Sequence, residues 1–113
     1  MTNSCNQINA KAFKSTEKEL ADELKLAAQA KALSHPARVR IVKILLNLDK
    51  LGGCLNSDLV SELGLAQSTV SEHLRILKQA EFITAQSIPP KVCYRVNKAK
   101  ITHFSTLIST IFN

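Results

Sequence analysis

Apolar positions along the chain follow two different periods, and the change between them outlines the architecture. Leu20, Leu24, Ala27 and Ala28 recur at helical spacing behind Ser15-Thr16-Glu17-Lys18-Glu19, where Glu19 stands at capping-box distance from Thr16. This predicts a short amphipathic helix that ends before Ser34-His35-Pro36. Beyond Pro36, a residue tolerated in a first helical turn, Val39, Ile41, Val42, Ile44, Leu45, Leu46 and Leu48 form a dense apolar face. The most buried helix is expected here, with Arg38, Arg40 and Lys43 outward and Gly52-Gly53 as its stop. Cys54-Leu55 suits a very short strand, and Asn56-Ser57-Asp58 offers caps for a two-turn helix carrying Leu59, Val60 and Leu63 and halted at Gly64. A turn through Leu65-Ala66-Gln67-Ser68 then opens a longer helix with Val70, Leu74 and Leu77 on one face, which is the spacing of a helix-turn-helix.

After Lys78-Gln79-Ala80 the period shortens to that of strands. Residues 82–88 and 91–96 are two β-prone runs around Pro89-Pro90, a hairpin whose prolines sit at the tip, where no ladder donor is lost. Ile101, Phe104, Leu107, Ile108, Ile111 and Phe112 then fall three or four apart on a C-terminal amphipathic helix. Residues 1–14 show no sustained period and are expected to be a flexible N-terminal arm, leaving residues 15–113 as one domain. The expected fold class is mainly α with a small β-hairpin: a winged helix-turn-helix of five helices plus the wing.

Composition narrows the partners. Fifteen Lys and Arg against nine Asp and Glu give a net charge of +6 and a pI near 9.5, a balance suited to a polyanion. No apolar run approaches the roughly 18 residues that cross a bilayer, and the polar start lacks a signal-peptide core, so a cytoplasmic protein without membrane contact is expected. Three widely spaced cysteines, Cys5, Cys54 and Cys93, argue against a secreted disulfide framework and predict reduced thiols. No nucleophile–base pair, glycine-rich phosphate loop or paired carboxylate speaks for an enzyme.

Residues 56–80 are the candidate DNA reader. The second helix of such a motif needs short polar side chains outward and aliphatics inward. Gln67, Ser68, Thr69, Ser71, Glu72 and Arg75 supply the first set, and Val70, Leu74 and Leu77 the second. Gln67 can bond an adenine edge, Thr69 can touch a thymine methyl, the Ser68 and Ser71 hydroxyls can reach phosphates or bases, and His73 and Arg75 can neutralise phosphate. Lys91 and Arg95 would let the hairpin grip backbone beside the groove. Two other readings stand beside this one: the hydroxyls merely cap and decorate a solvated helix, or the whole unit is a protein-interaction module.

Residues 31–97, through Ala32-Leu33-Ser34-His35-Pro36-Ala37-Arg38, residues 65–74 (LAQSTVSEHL) and Val92-Cys93-Tyr94-Arg95-Val96, resemble the ArsR/SmtB family of bacterial winged-helix repressors. The resemblance implies a homodimer formed by residues 16–33 and 98–112, with Leu20, Leu24, Ile101, Phe104, Leu107, Ile108 and Ile111 at its interface. It also implies a palindromic double-stranded operator and release by an inducer. Periodicity alone shows only two apolar helical faces that need partners.

The family's metal sites fit this chain poorly. Its thiolate motif, Cys-x-Cys-Asp, aligns with Leu55-Asn56-Ser57-Asp58, so both thiols are missing, and the last helix offers only His103 for a hard-metal site. In winged folds the short strand ahead of the motif commonly pairs with the second wing strand, which would bring Cys54 near Cys93. With Cys5 from either subunit, these make a three-thiolate site suited to trivalent arsenic or antimony. Two alternatives remain open: a Cys54–Cys93 redox switch, and cysteines with a purely structural role. His35 is expected to cap or pack at its helix start, without ligand partners.

Overall fold

The computed structural model describes residues 2–113, with side chains from Cys5 onward. In chain order the elements are α1 (Thr2–Phe13), α2 (Glu17–Ala32), α3 (Pro36–Lys50), β1 (Leu55–Asn56), α4 (Ser57–Ser61), α5 (Gln67–Gln79), β2 (Ile83–Ile88), β3 (Lys91–Val96) and α6 (Lys98–Phe112). This is the expected winged helix-turn-helix class, with one helix more than expected. The segment read as an arm is helical, and every described side chain in it, Cys5 to Phe13, is exposed. A helix satisfies its own amides without an apolar stripe, and Gln7, Ala10, Lys11 and Ala12 favour it intrinsically, so periodicity gave no signal.

The caps fall where the sequence places them. Thr16 and Glu19 close a reciprocal capping box on α2 at 3.1 and 3.2 Å. His35 begins α3, its Nδ1 accepting the Ala37 N–H at 3.0 Å, and Asn56 does the same for Leu59 at the start of α4. The end of α5 departs from habit: Glu81 takes a left-handed backbone (φ 66°) at the position glycine usually fills. There the Phe82 N–H donates to the Leu77 carbonyl at 3.0 Å and the Glu81 N–H to that of Lys78 at 3.0 Å. Asn97 locks this corner to α6, donating from Nδ2 to the Glu81 carbonyl and from its backbone N–H to that of Phe82, both at 2.9 Å.

The sheet is antiparallel in the order β1-β3-β2. Its inner face carries Leu55, Ile83, Tyr94 and Val96, which pack with α3 and α5 around Ile41, Leu45, Val60, Val70, Leu77 and Phe82. Phe82 meets Phe104 of α6 edge to face, ring centres 5.8 Å apart, and with Ile101 this pair helps tie the last helix to the core. In α3, Val39 turns outward while Arg38 is half-buried, the reverse of the expected arrangement at those two positions.

Candidate nucleic-acid interface

Helix α5 has two faces of opposite character. Val70, His73, Leu74 and Leu77, at the i, i+3, i+4, i+7 spacing of one stripe, are buried, and Gln67, Ser68, Thr69 and Ser71 are exposed on the first turns. The N-cap is Ala66, which makes no side-chain capping bond. No hydroxyl of Ser68, Thr69 or Ser71 therefore serves as the cap of α5, whose N-terminus carries the positive end of the helix dipole. Beside α5 the hairpin of β2 and β3 projects through the turn at Pro89-Pro90, pairing Ile88 with Lys91 and Ile83 with Val96.

Three expected site residues need correction or qualification. His73 is only 6% exposed and lies inside the packing stripe, so it does not present its ring to a phosphate. Its Nδ1 accepts from Arg38 Nη1 at 3.1 Å, its ring lies 4.4 Å from that of His35, and its Nε2 is buried without a partner. Because guanidinium only donates, the neutral tautomer carries its proton on Nε2. Burial, then the neighbouring His35 and Arg38, pull the His73 pKa below the ordinary imidazole value, with Glu72 opposing them. The spacing of residues 70, 73, 74 and 77 held this signal, and reading histidine as a surface residue concealed it. Arg75 is exposed but engaged along its own helix, donating from Nε to Glu72 Oε2 at 2.9 Å, from Nη2 to Glu72 Oε1, and from Nη1 to Gln79 Oε1 at 2.9 Å. The Arg75 hydrogen bond holds the Glu72 carboxyl below its usual pKa. Phosphate would have to displace Glu72 to claim this guanidinium. Leu107, expected between subunits, is buried within the protomer, where α6 packs on α2.

The other apolar positions of these outer helices are exposed or half-buried, with Ile101 and Phe104 packed partly against the protomer's own core. Leu20 and Leu24 of α2 are 51% and 74% exposed, Ile108 is exposed, and Ile101, Phe104 and Ile111 are half-buried. Ile8 and Phe13 of α1 and Phe112 of α6 are exposed as well, a feature the sequence reading missed for α1. Lys91 is exposed and pairs loosely with Asp58 at 3.5 Å, and Arg95 is exposed with Nη1 3.4 Å from the Gly53 carbonyl.

β1 pairs with β3 as expected, Leu55 opposite Tyr94 and Asn56 opposite Cys93. This register sets Cys54 diagonally across from Cys93, Cα atoms 5.7 Å apart, and the two form a disulfide in place of the reduced thiols expected. Cys5 stays free and exposed on α1, and among the described residues no group of three His, Cys, Asp or Glu side chains is arranged to hold a metal ion. The expected three-thiolate set is thus not assembled within one described chain. No described helix is long and apolar enough to cross a membrane.

Comparison with known proteins agrees with this geometry. Over 56 residues the chain is 39% identical to the HTH-type transcriptional regulator Rv0081 of Mycobacterium tuberculosis, covering 50% of this chain and 46% of that protein. It therefore spans about half the length of that relative. It is 28% identical over 82 residues to the biofilm growth-associated repressor of Xylella fastidiosa, covering 73% of this chain and 68% of that one. Its fold matches the homodimeric winged helix-turn-helix DNA-binding domain of Mb0332 from Mycobacterium bovis with a TM-score of 0.64 at 19% identity, over 86% and 87% of the two chains. Residues 35–85, from the capping histidine of α3 through α5 into β2, match the bacterial regulatory proteins of the arsR family. Over this helix-turn-helix region, a little under half of its length, the chain is similar to the arsR family of bacterial regulatory proteins.

Proposed function

We propose that this protein is a homodimeric, operator-binding transcriptional repressor of the cytoplasm that reads double-stranded DNA with the first turns of α5. The observation that carries the reading is the division of α5. One face is locked into the core by Val70, Leu74 and Leu77, and the other presents Gln67, Ser68, Thr69 and Ser71, whose hydroxyls leave the N-cap to Ala66. Such a helix enters a major groove with its base-reading atoms held by a rigid scaffold. Lys91 and Arg95 reach the flanking phosphates, and the exposed Leu20, Leu24 and Ile108 meet their counterparts in a second copy. The direct test is fluorescence-anisotropy titration of the promoter of its own gene at several salt concentrations, alongside sedimentation. Expected are a dimer, a Leu24→Glu variant that dissociates, and affinity that falls steeply with salt. Salt-independent, weak binding would instead favour a protein-interaction module.

The disulfide favours a second component. We infer that Cys54 and Cys93 are the effector site, and that making or breaking their bond shifts operator affinity, because they join the entry to α4 with the second wing strand. Trivalent arsenic or antimony would act on the same reduced pair, completed by a third thiolate such as Cys5 of either subunit. Titrating the operator with oxidised, reduced, and reduced arsenite- or antimonite-treated protein separates the two effectors. Cysteines with only a structural role would give one affinity throughout.

A further inference from the structure

The face of the sheet turned away from the core carries an unassigned cleft. Alternation along the paired strands places Cys54 and Asn56 of the β1 edge, Ile88 of β2, and Lys91, Cys93 and Arg95 of β3 on this outer side. Cys54, Asn56, Cys93, Ile88, Pro89 and Pro90 line a cavity of about 350 Å³, with Lys91 and Val92 completing it. The Cys54–Cys93 disulfide is part of its wall, and the two sulfurs differ in access: Cys54 is partly exposed, Cys93 only 5% exposed. Two cations flank Cys93 on the same side of its strand, Lys91 and Arg95, and Arg95 reaches the Gly53 carbonyl next to Cys54. Asp58 opposes Lys91 at 3.5 Å, but both are well exposed, so this pairing is weak.

From this arrangement we propose that the cleft is a docking site for small anionic thiols, which exchange with the disulfide at Cys54. The inference rests on the reading of Cys54 and Cys93 as the effector site. An incoming thiolate, its carboxylate drawn by Lys91 and Arg95 and its carbon chain against Ile88 and the prolines, attacks Cys54 Sγ. The new bond joins the incoming sulfur to Cys54, the Cys54–Cys93 bond breaks, and its electron pair leaves on Cys93 Sγ, which takes a proton from water. A second thiol then attacks the mixed disulfide, loses its proton to solvent, and releases the small-molecule disulfide and a reduced Cys54. Two small thiols are oxidised as one protein disulfide is reduced. Without a second thiol, the Cys93 thiolate attacks Cys54 Sγ, the mixed disulfide breaks, the first small thiol leaves as its thiolate, and the intramolecular bond returns.

The full chain carrying Cys5→Ser, which removes the exposed competing thiol, supports the test. Reduction rates by 3-mercaptopropionate and by neutral 2-mercaptoethanol, each expressed per thiolate, are compared at low and high salt. The anionic thiol should be at least about fivefold faster at low salt, with the advantage lost at 1 M salt and in Lys91→Glu. Peptide mass spectrometry after treatment with the disulfide of 3-mercaptopropionate should find the adduct on Cys54 in Cys93→Ser, and at least about tenfold slower labelling of Cys93 in Cys54→Ser. Equal rates per thiolate for the two probes in the Cys5→Ser protein, or labelling of Cys93 as fast as Cys54, would overturn the proposal. Operator titration of the same samples keeps the two ideas apart. An affinity indifferent to the disulfide would remove the effector role and leave the exchange site standing.

Discussion

Replacing His73 with leucine separates a core residue from a DNA-contacting one. The ring is buried with Nε2 unpartnered, and an orphaned buried donor costs about 1–3 kcal/mol. Leucine removes that cost and fits a stripe otherwise made of Val70, Leu74 and Leu77. Against this, Arg38 loses the acceptor on His73, but its Nε still donates to the Ala32 carbonyl at 2.7 Å and its Nη2 lies 3.5 Å from Ser34 Oγ. The opposing effects nearly cancel, so His73→Leu should change stability at pH 7.5 by less than about 1.5 kcal/mol. Acidification should separate the proteins. Because the folded pKa of His73 lies below its ordinary value, the unfolded chain binds the proton first, and stability rises with pH in the window between the two values. Wild type therefore loses stability as pH falls from about 6.5, by about 1.4 kcal/mol for each unit of depression, until the folded imidazole also protonates. Protonated Nδ1 would also present a donor to the Arg38 guanidinium, with His35 alongside. Urea unfolding between pH 5 and 8 measures this difference. The reasoning is refuted if His73→Leu keeps the wild-type acid sensitivity, or if it weakens operator binding about tenfold with unchanged stability, since that effect belongs to a residue touching phosphate.

Other substitutions probe the remaining features. Glu81→Gly should stabilise the fold by about 0.5–1 kcal/mol in thermal unfolding, because it relieves the left-handed backbone at φ 66°. Leu77→Ala, at a fully buried position, should cost about 2–5 kcal/mol in the same assay. Gln67→Ala should weaken operator binding by about 1–3 kcal/mol and relax preference at one base pair, with the folded state unchanged. Lys91→Ala and Arg95→Ala should weaken binding to every sequence alike and lower the slope of log affinity against log salt by about 0.9 for each phosphate no longer neutralised.

Much of the fold was legible because its helices and strands carry unmistakable periods. The dense run after Pro36, the stop at Gly64 and the proline-tipped hairpin each pair a hydrophobic pattern with a backbone constraint that agrees with it. α1 was not legible, since an exposed helix leaves no apolar imprint. Residue class misled at Leu107 and at His73. Leu107 was assigned to a partner although it is buried within its own protomer, and His73 was put on the surface because histidine is usually polar there. The Arg75–Glu72 engagement follows an i, i+3 spacing that the sequence displayed, but expecting a phosphate partner for Arg75 obscured it. The proximity of Cys54 and Cys93 was anticipated from the winged fold, whereas the bond between them, in place of reduced thiols, depended on a strand register that no local pattern specifies.

The division of α5 has a consequence for how such a protein diversifies. Gln67, Ser68, Thr69 and Ser71 are exposed outside the stripe that secures the helix, while residues 70, 73, 74 and 77 fix how it is rotated about its axis. Exchanging the outward residues rewrites the vocabulary of the reader without altering its grip on the scaffold. Under the proposed function, operator preference can therefore change through these positions at almost no cost in folding, while the azimuth at which each new side chain meets the groove stays fixed.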